Sequence, residues 1–185
     1  MSILYKNYRL SPEEYLEGEK YSTVKHEYIK GDVYAMVGVS LAHNLITNNL
    51  NMRLYQHLRG TPCRVFVADV KVRVEKIDAF FYPDLLVSCE RENTQGYYID
   101  RPTLVVEVAS PATVKFDEVD KRLAYQTLPS LKEYVLVARD KLEVRVYRRA
   151  EEGWDLEVFT ENDVVRLESV GLEIPIAEIS EGVGE

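Results

Sequence analysis

Two short apolar runs, each carrying one carboxylate, most constrain how this chain of 185 residues can fold. They read DLLVS at 84–88 and TLVVEVA at 103–109. Neither run alternates apolar with polar residues as a half-exposed strand does, so both are predicted to be short buried strands. Their acids are Asp84 and Glu107. An ionised Glu107 inside an apolar strand is costly unless a partner satisfies it, so folding alone gives no reason for a glutamate there.

The two acids have a structural and a chemical interpretation. A strand that reaches the sheet edge, or an internal Arg or Lys partner, would account for Glu107, and Pro83-Asp84 is also ordinary turn chemistry. If the two strands lie side by side, however, the acids meet at one end of a sheet. Two close carboxylates hold their charges most readily around a divalent cation.

Lys121 is the third candidate. The segment 113–127 has helical spacing, and it places Asp117, Lys121 and Tyr125 on one face at i, i+4 and i+8. On that face Lys121 either reaches over the sheet end toward the acids or is a solvated lysine paired with Asp117.

The order and spacing of these motifs resemble the Uma2 family (DUF820). The resemblance rests on the following residues: Pro83-Asp84, EVASP at 107–111, Asp117 with Lys121 and Tyr125, EYVLV at 133–137, HEYIKGDVY at 26–34, and His43. It covers nearly the whole chain. It implies membership of the PD-(D/E)XK nuclease superfamily, and hence a mixed α/β (α+β) fold in a single domain over 1–185. The expected core is restriction-endonuclease-like, with a mixed central β-sheet flanked by helices and additional antiparallel hairpins.

The resemblance also implies an activity, a metal-dependent endonuclease that hydrolyses phosphodiester bonds in DNA. Asp84, Glu107 and the carbonyl of Val108 are expected to hold Mg²⁺ or Mn²⁺, and Lys121 to position the attacking water or stabilise the transition state. The superfamily's lysine two residues after the acid is replaced by Ala109, so Lys121 is the matching position. The rival hypothesis is a catalytically inactive nuclease-like module that acts in DNA-associated or homo-oligomeric binding.

Accessory candidates are Glu27, His43, Asp69 and Asp117. Residues 24–37 alternate around Lys30-Gly31-Asp32, which predicts a hairpin with a tight turn. Within it Glu27 lies either near the metal pair or across the hairpin from Lys25. His43 lies in the first turn of a helix predicted over 40–59, and it either contacts phosphate or a metal-bound water or is a surface or capping residue. This helix is predicted to have Ser40 as its cap and, on or near one stripe, Leu41, Leu45, Ile46, Asn49, Leu50, Leu54 and Leu58. Asp69 either neighbours the core acids or marks a bulge or turn.

Composition limits the partners. The net charge of -8 counts against a strong general nucleic-acid binder, because lysine and arginine supply most of that affinity, but it does not exclude a nuclease with an acidic site. No run of eighteen apolar residues and no basic-then-apolar N-terminus occurs, which predicts a cytoplasmic protein without a membrane span. Cys63 and Cys89 lack metal-like spacing and are predicted to be reduced thiols. Arg145, Arg148 and Arg149 are predicted to lie at the surface. DNA is the expected substrate, and the resemblance implies a homodimer.

Overall fold

The computed structural model describes residues 9–90, 96–109 and 116–184. Its helical segments are α1 (Pro12–Glu19), α2 (Leu41–Leu58), a 3₁₀ turn (Glu75–Ile77), a π-helix (Phe116–Lys121) continued by α3 (Arg122–Tyr125), and α4 (Ile176–Ile179). Its strands are β1 (His26–Ile29), β2 (Asp32–Ala35), β3 (Arg64–Val67), β4 (Lys71–Val74), β5 (Ala79–Phe81), β6 (Leu85–Ser88), β7 (Tyr98–Ile99), β8 (Leu104–Ala109), β9 (Glu133–Ala138), β10 (Glu143–Arg149), β11 (Trp154–Phe159), β12 (Val164–Leu167) and β13 (Leu172–Pro175).

These strands form a central sheet of order β11-β10-β9-β8-β6-β3, a second sheet of order β2-β1-β5-β4-β7, and the hairpin β12-β13. In the central sheet β6 is antiparallel and β9 parallel to β8. The π-helix and α3 lie in the connection between β8 and β9, as a crossover between parallel strands requires. The predicted mixed sheet flanked by helices is confirmed.

The middle strands β6, β8 and β9 of the central sheet are buried on both faces, which is why β6 and β8 read as continuous apolar runs. Leu104, Val106 and Val108 of β8 belong to the core shared with α2, whereas Val105 and Ala109 belong to the core shared with the second sheet and α3. Because successive strand residues point to opposite faces, Glu107 lies on the second face, with Val105 and Ala109.

Helix α2 begins where predicted, at the N-cap Ser40, whose hydroxyl accepts a hydrogen bond from the His43 amide. Its buried stripe packs on the central sheet and consists of Ile46, Leu50, Leu54 and Leu58. The sequence pattern had placed Leu41 and Leu45 on or near this same stripe. That prediction is wrong, since Leu41 is 86% exposed and Leu45 37% exposed. Both lie on the opposite face of the helix, which turns away from the sheet.

The N-terminal elements α1 and the β1–β2 hairpin are explained by their local sequence. Ser11 and Glu14 form a reciprocal capping box that starts α1. Strands β1 and β2 form a hairpin whose turn contains Gly31 at φ +93°, a backbone conformation that favours glycine.

The β-rich segment 64–76 is split between the two sheets. Strand β3 is an edge of the central sheet and β4 belongs to the second sheet. Between them Ala68 and Asp69 both have positive φ, so Asp69 marks a turn.

Cys63 and Cys89 form a disulfide, so the prediction of reduced thiols is wrong. The cause is the antiparallel register of β3 and β6, which pairs Arg64 with Ser88 and brings the flanking cysteines together. Their separation of 26 residues gave no sign of this contact in the sequence.

The three arginines of β10 lie near the surface, and each forms contacts within the chain. Arg145 pairs with Glu118 and Glu143, and Arg148 pairs with the buried Glu133. Arg149 donates to backbone carbonyls, among them that of Leu131. The three arginines therefore do not form an exposed basic patch.

In the described residues no helix is long and apolar enough to cross a membrane.

Candidate active site

Strand register brings the two predicted acids together. Leu85 pairs with Val106 in the antiparallel β6–β8 ladder, so Asp84, just before β6, lies beside Glu107. The alternation along β6 and β8 places both acids on the same sheet face. Both line a cleft of ≈ 370 Å³, which is large enough for a nucleotide-sized group.

The cleft lies at the end of the central sheet and is closed by three elements. The second sheet supplies Glu27 and Tyr82, the π-helix supplies Asp117 and Lys121, and the start of α2 supplies His43. A mainly apolar wall runs from β2 to the N-cap of α2 and consists of Tyr34, Ala35, Met36, Val37, Gly38, Val39 and Ser40.

Lys121 is a buried residue, with only 6% of its surface exposed, so the interpretation as a solvated lysine is wrong. Its Nζ lies 2.8 Å from Glu27 Oε1, 3.3 Å from Glu107 Oε1 and 3.6 Å from Asp117 Oδ1. The π-helix that carries Asp117 and Lys121 is anchored by Tyr134, whose hydroxyl donates to the Asp117 carbonyl at 2.7 Å. Single π-helical turns of this kind occur frequently at functional sites.

Glu27 belongs to the same cluster, although its position in a hairpin also suggested a cross-strand partner for Lys25. It is 8% exposed, and its Oε1 accepts a hydrogen bond from the Tyr82 amide in addition to the contact with Lys121. Lys25 pairs instead with Asp69, an exposed ion pair that does not line the cleft. Among the accessory candidates, the structure therefore brings Glu27, His43 and Asp117 to the site and leaves Asp69 outside it.

Asp84 is oriented by two groups that meet one of its oxygens. Its Oδ2 accepts a hydrogen bond from the Val108 amide at 2.8 Å and lies 3.1 Å from His43 Nε2. Within the described residues no hydrogen bond engages Asp84 Oδ1 or Glu107 Oε2. Each acid thus keeps one oxygen for a further ligand. His43 Nδ1 is buried and likewise has no hydrogen-bond partner in the described part of the chain.

The electrostatics of the cluster follow from burial and from an excess of acid. Burial raises the pKa of Glu107 well above its ordinary value, Lys121 opposes this shift, and Asp84, Asp117 and Glu27 add to it. Burial alone would lower the pKa of Lys121, but Glu107, Glu27 and Asp117 outweigh it and raise the pKa. Lys121 is therefore charged at neutral pH, and one ammonium faces more carboxylates than it neutralises. Such a site favours a further cation.

Tyr125 completes the contacts of Glu107. Its hydroxyl donates to Glu107 Oε1 at 3.4 Å, and burial raises the pKa of the phenol, so it remains a donor at neutral pH. The predicted helical face of Asp117, Lys121 and Tyr125 thus converges on one strand glutamate.

The donor set fits a hard divalent cation with few protein ligands. In residues 9–90, 96–109 and 116–184 no group of three or more His, Cys, Asp or Glu side chains is arranged to surround a metal. Mg²⁺, however, is commonly held by one or two carboxylates and completes its shell with water and substrate oxygens. Asp84 and Glu107, each with an oxygen that no described residue engages, meet this requirement. Ser110 and Pro111 of the EVASP motif lie outside the described residues.

Comparison with known proteins identifies the family. A family model named Uma2, described as "Putative restriction endonuclease", matches residues 12–177. The chain belongs to the Uma2 family. Two Synechocystis proteins are similar to it: the uncharacterized protein slr1290 is 34% identical over 95% of this chain and 93% of its own length, and the uncharacterized protein sll1609 is 32% identical over 76% and 81%.

A solved structure shares the fold of this Uma2 protein. It is a crystal structure described as a putative nuclease belonging to DUF820 from Anabaena variabilis, with a TM-score of 0.76 and 18% sequence identity. The alignment covers 92% of this chain and 97% of that chain. At this level of identity the similarity establishes the fold.

Sequence reasoning missed one cation of the cleft, Arg139. It follows β9 directly, and its Nη1 donates to Ser40 Oγ at 2.7 Å while its Nε donates to Asp140 Oδ1 at 2.8 Å. A signal was present in the sequence. The helical segment 113–127 lies between the apolar run at 103–109 and EYVLV at 133–137, an order that favours parallel neighbouring strands. The residue after the second of these strands is then expected at the same sheet edge as Glu107 and Val108.

Proposed function

We propose that this Uma2 protein is a metal-dependent endonuclease that hydrolyses phosphodiester bonds in DNA. The observation that carries the proposal is the meeting of Asp84 and Glu107 on one face of adjacent strands, with the ammonium of Lys121 3.3 Å from Glu107. Membership of a family described as "Putative restriction endonuclease" supports the same reaction class.

Asp84 and Glu107 would hold Mg²⁺ or Mn²⁺ through their remaining oxygens, together with the carbonyl of Val108. Such an ion lowers the pKa of a bound water and offsets negative charge that develops on the phosphate. The amide of Val108 and the ring of His43 keep Asp84 oriented, because both engage Oδ2, and no described residue engages Oδ1.

Lys121 has two roles in this proposal. In the absence of substrate its ammonium lies among three carboxylates and reduces the electrostatic repulsion between them. During hydrolysis it would position the attacking water or stabilise the charged transition state beside Glu107.

Arg139 would contact the substrate's phosphates. Of the described residues that line the cleft, Lys121 and Arg139 are the lysine and arginine side chains, and Lys121 is enclosed by carboxylates. A guanidinium fixed by Ser40 and Asp140 can still donate from its other N–H groups to phosphate oxygens. One or two such contacts are compatible with an acidic protein that binds DNA weakly outside its site.

The test is cleavage of supercoiled plasmid and of single-stranded DNA by purified protein with Mg²⁺, Mn²⁺ or EDTA. We expect metal-dependent nicking that is lost in Asp84→Asn and Glu107→Gln. The matched control is Asp69→Asn, an exposed acid outside the cleft, which should cleave like the parent protein. Retained cleavage in both site variants would refute this mechanism.

A second readout separates an inactive site from a missing substrate. Mn²⁺ binding, followed by electron paramagnetic resonance of the free ion, should weaken in Asp84→Asn and stay unchanged in Asp69→Asn. If the protein neither cleaves nor binds metal, the nuclease proposal fails and a nuclease-like binding module takes its place.

A further inference from the structure

The described residues divide the cleft into two chemically different parts. One part carries the charged groups, which are the acids, Lys121 and Arg139. The other part is the apolar wall that runs from Tyr34 to Ser40, and none of its residues is charged. The sequence contains no lysine or arginine between Lys30 and Arg53, so neither the wall nor the start of α2 brings one to the cleft. The phosphates of a substrate therefore have counter-charges in one part only.

Strand register places Tyr34 of the apolar wall beside the charged cluster. In the antiparallel β1–β2 ladder Tyr34 pairs with Glu27, and directly paired residues carry their side chains on the same face of a sheet. Glu27 contacts Lys121, so the ring of Tyr34 lies on the sheet face that borders the cluster. The Met36 amide donates to the Lys25 carbonyl at 2.8 Å, which continues the pairing and places Met36 on the same face as Tyr34.

The apolar wall is exposed to solvent in spite of its composition. Tyr34 is 54% exposed, Val37 85% and Val39 57%. Strand β2 is an edge of the second sheet, and among the described residues the Tyr34 ring stacks on no other ring and its hydroxyl forms no hydrogen bond. A surface of this kind next to charged groups suits a ligand that has an uncharged flat face at one end and a charge at the other.

An unpaired nucleotide has both of these ends. Its base presents a flat face that stacks on aromatic side chains, and its phosphate carries the charge. In a duplex the faces of the bases are covered by the neighbouring base pairs, and a protein meets phosphates and polar base edges instead. Duplex phosphates set against the apolar wall would find no counter-charge. The cleft volume of ≈ 370 Å³ is on the scale of one nucleotide.

We propose that the cleft takes a nucleotide of the DNA substrate in unpaired form, with its phosphate toward Arg139 and the metal-binding acids and its base on Tyr34 and the apolar wall. The inference rests on the proposed nuclease function and adds the substrate class, which is single-stranded DNA or a base displaced from a duplex.

Equilibrium binding to strands with and without bases tests the proposal. The probes are a short labelled thymidylate strand, a strand of the same length with abasic sites throughout, and a duplex of that length. All three present phosphates, and only the first presents unpaired bases. In fluorescence anisotropy with Ca²⁺, an ion that carboxylates also bind, the parent protein should bind the thymidylate strand about ten- to a hundred-fold more tightly than the other two. Equal affinity for the thymidylate and abasic strands overturns the proposal.

Variants of Tyr34 test whether the apolar wall causes this preference. Tyr34→Ala should lose about ten- to a hundred-fold in affinity for the thymidylate strand and none for the abasic strand, whereas Tyr34→Phe keeps the ring and should bind like the parent protein. Tyr34 is exposed on an edge strand, so its truncation leaves the core intact. The matched control is Tyr55→Ala, at a tyrosine of α2 that is 61% exposed and lies outside the cleft. A Tyr34→Ala variant with the parent preference for bases overturns the proposal.

Cleavage separates this inference from the proposed function. With Mg²⁺ or Mn²⁺ the parent protein should cut single-stranded DNA and supercoiled plasmid faster than the same plasmid after relaxation, because negative supercoiling favours local unpairing. Metal-dependent cutting of relaxed and supercoiled plasmid at equal rates overturns the inference and leaves the nuclease proposal standing. Base-dependent binding that is lost in Tyr34→Ala, without cleavage of any DNA, supports the binding of unpaired nucleotides and refutes the nuclease proposal.

Discussion

Removing Lys121 and removing one of its acids should change stability in opposite directions. Of the residues that the structure describes, Lys121 is the ammonium in contact with the buried carboxylates of Glu27, Glu107 and Asp117. Lys121→Met keeps most of the aliphatic stem and removes the charge, so three buried acids lose their shared partner. Glu107→Gln removes one carboxylate and leaves Lys121 beside Glu27 and Asp117.

The magnitudes follow from burial. Breaking a buried ion pair by removing one partner costs about 3–5 kcal/mol, and Lys121→Met should lie in the upper part of that range because three acids are affected. Each unit by which the folded state raises the pKa of Glu107 costs about 1.4 kcal/mol once the group is ionised. Glu107→Gln removes this cost, so it should leave the free energy of unfolding unchanged or raise it by about 1–3 kcal/mol.

The effect of pH has a definite sign. A carboxyl whose pKa is raised in the folded state contributes stability that is complete below the unfolded value of 4.5 and is lost as pH rises through the folded pKa. The ammonium of Lys121 lowers the pKa of Glu107. Removing Lys121 therefore raises that pKa further. The deficit of Lys121→Met relative to the parent protein should therefore be largest at mildly alkaline pH and shrink as pH falls toward 5.

The assay is urea unfolding in EDTA, followed by the fluorescence of Trp154, the single tryptophan of the chain. Lys20→Met is the matched control, because Lys20 forms an exposed ion pair with Glu17 and its loss should not change the unfolding midpoint measurably. Either of two results would refute the description of an acid-rich cluster that Lys121 stabilises. One is a Lys121→Met variant that unfolds at the parent midpoint at alkaline pH. The other is a Glu107→Gln variant that loses as much stability as Lys121→Met.

Two further substitutions test structural features away from the cleft. Glu133→Ala should lower the free energy of unfolding in urea by about 3–5 kcal/mol, because this fully buried carboxylate accepts hydrogen bonds from Arg148 and from the amide of Ser169. The control is Glu168→Ala, at an exposed residue. Gly31→Ala should cost about 1–3 kcal/mol, because a Cβ there would lie 2.5 Å from Arg9 Cβ on a backbone with φ +93°. A parent-like midpoint for either variant would contradict the packing described.

Several features of this protein were determined by the sequence itself because their causes are local. The cap at Ser40 and the helical stripe below it predicted α2, and the turn at Gly31 predicted the first hairpin. The two apolar runs predicted buried strands, and the acids within them marked the site. Local patterns succeed here because capping, turn chemistry and side-chain periodicity act over a few neighbouring residues.

The tertiary structure alone decided which of the acids act together. Glu27 and Asp69 were both accessory site candidates in the sequence. Of the two, Glu27 contacts Lys121, because the second sheet packs against the face of the central sheet that carries Glu107. The Cys63–Cys89 disulfide has the same origin in strand register. Sheet order and layer packing depend on contacts between residues far apart in the chain, and the spacing of residues along one chain does not record which distant strand becomes the neighbour.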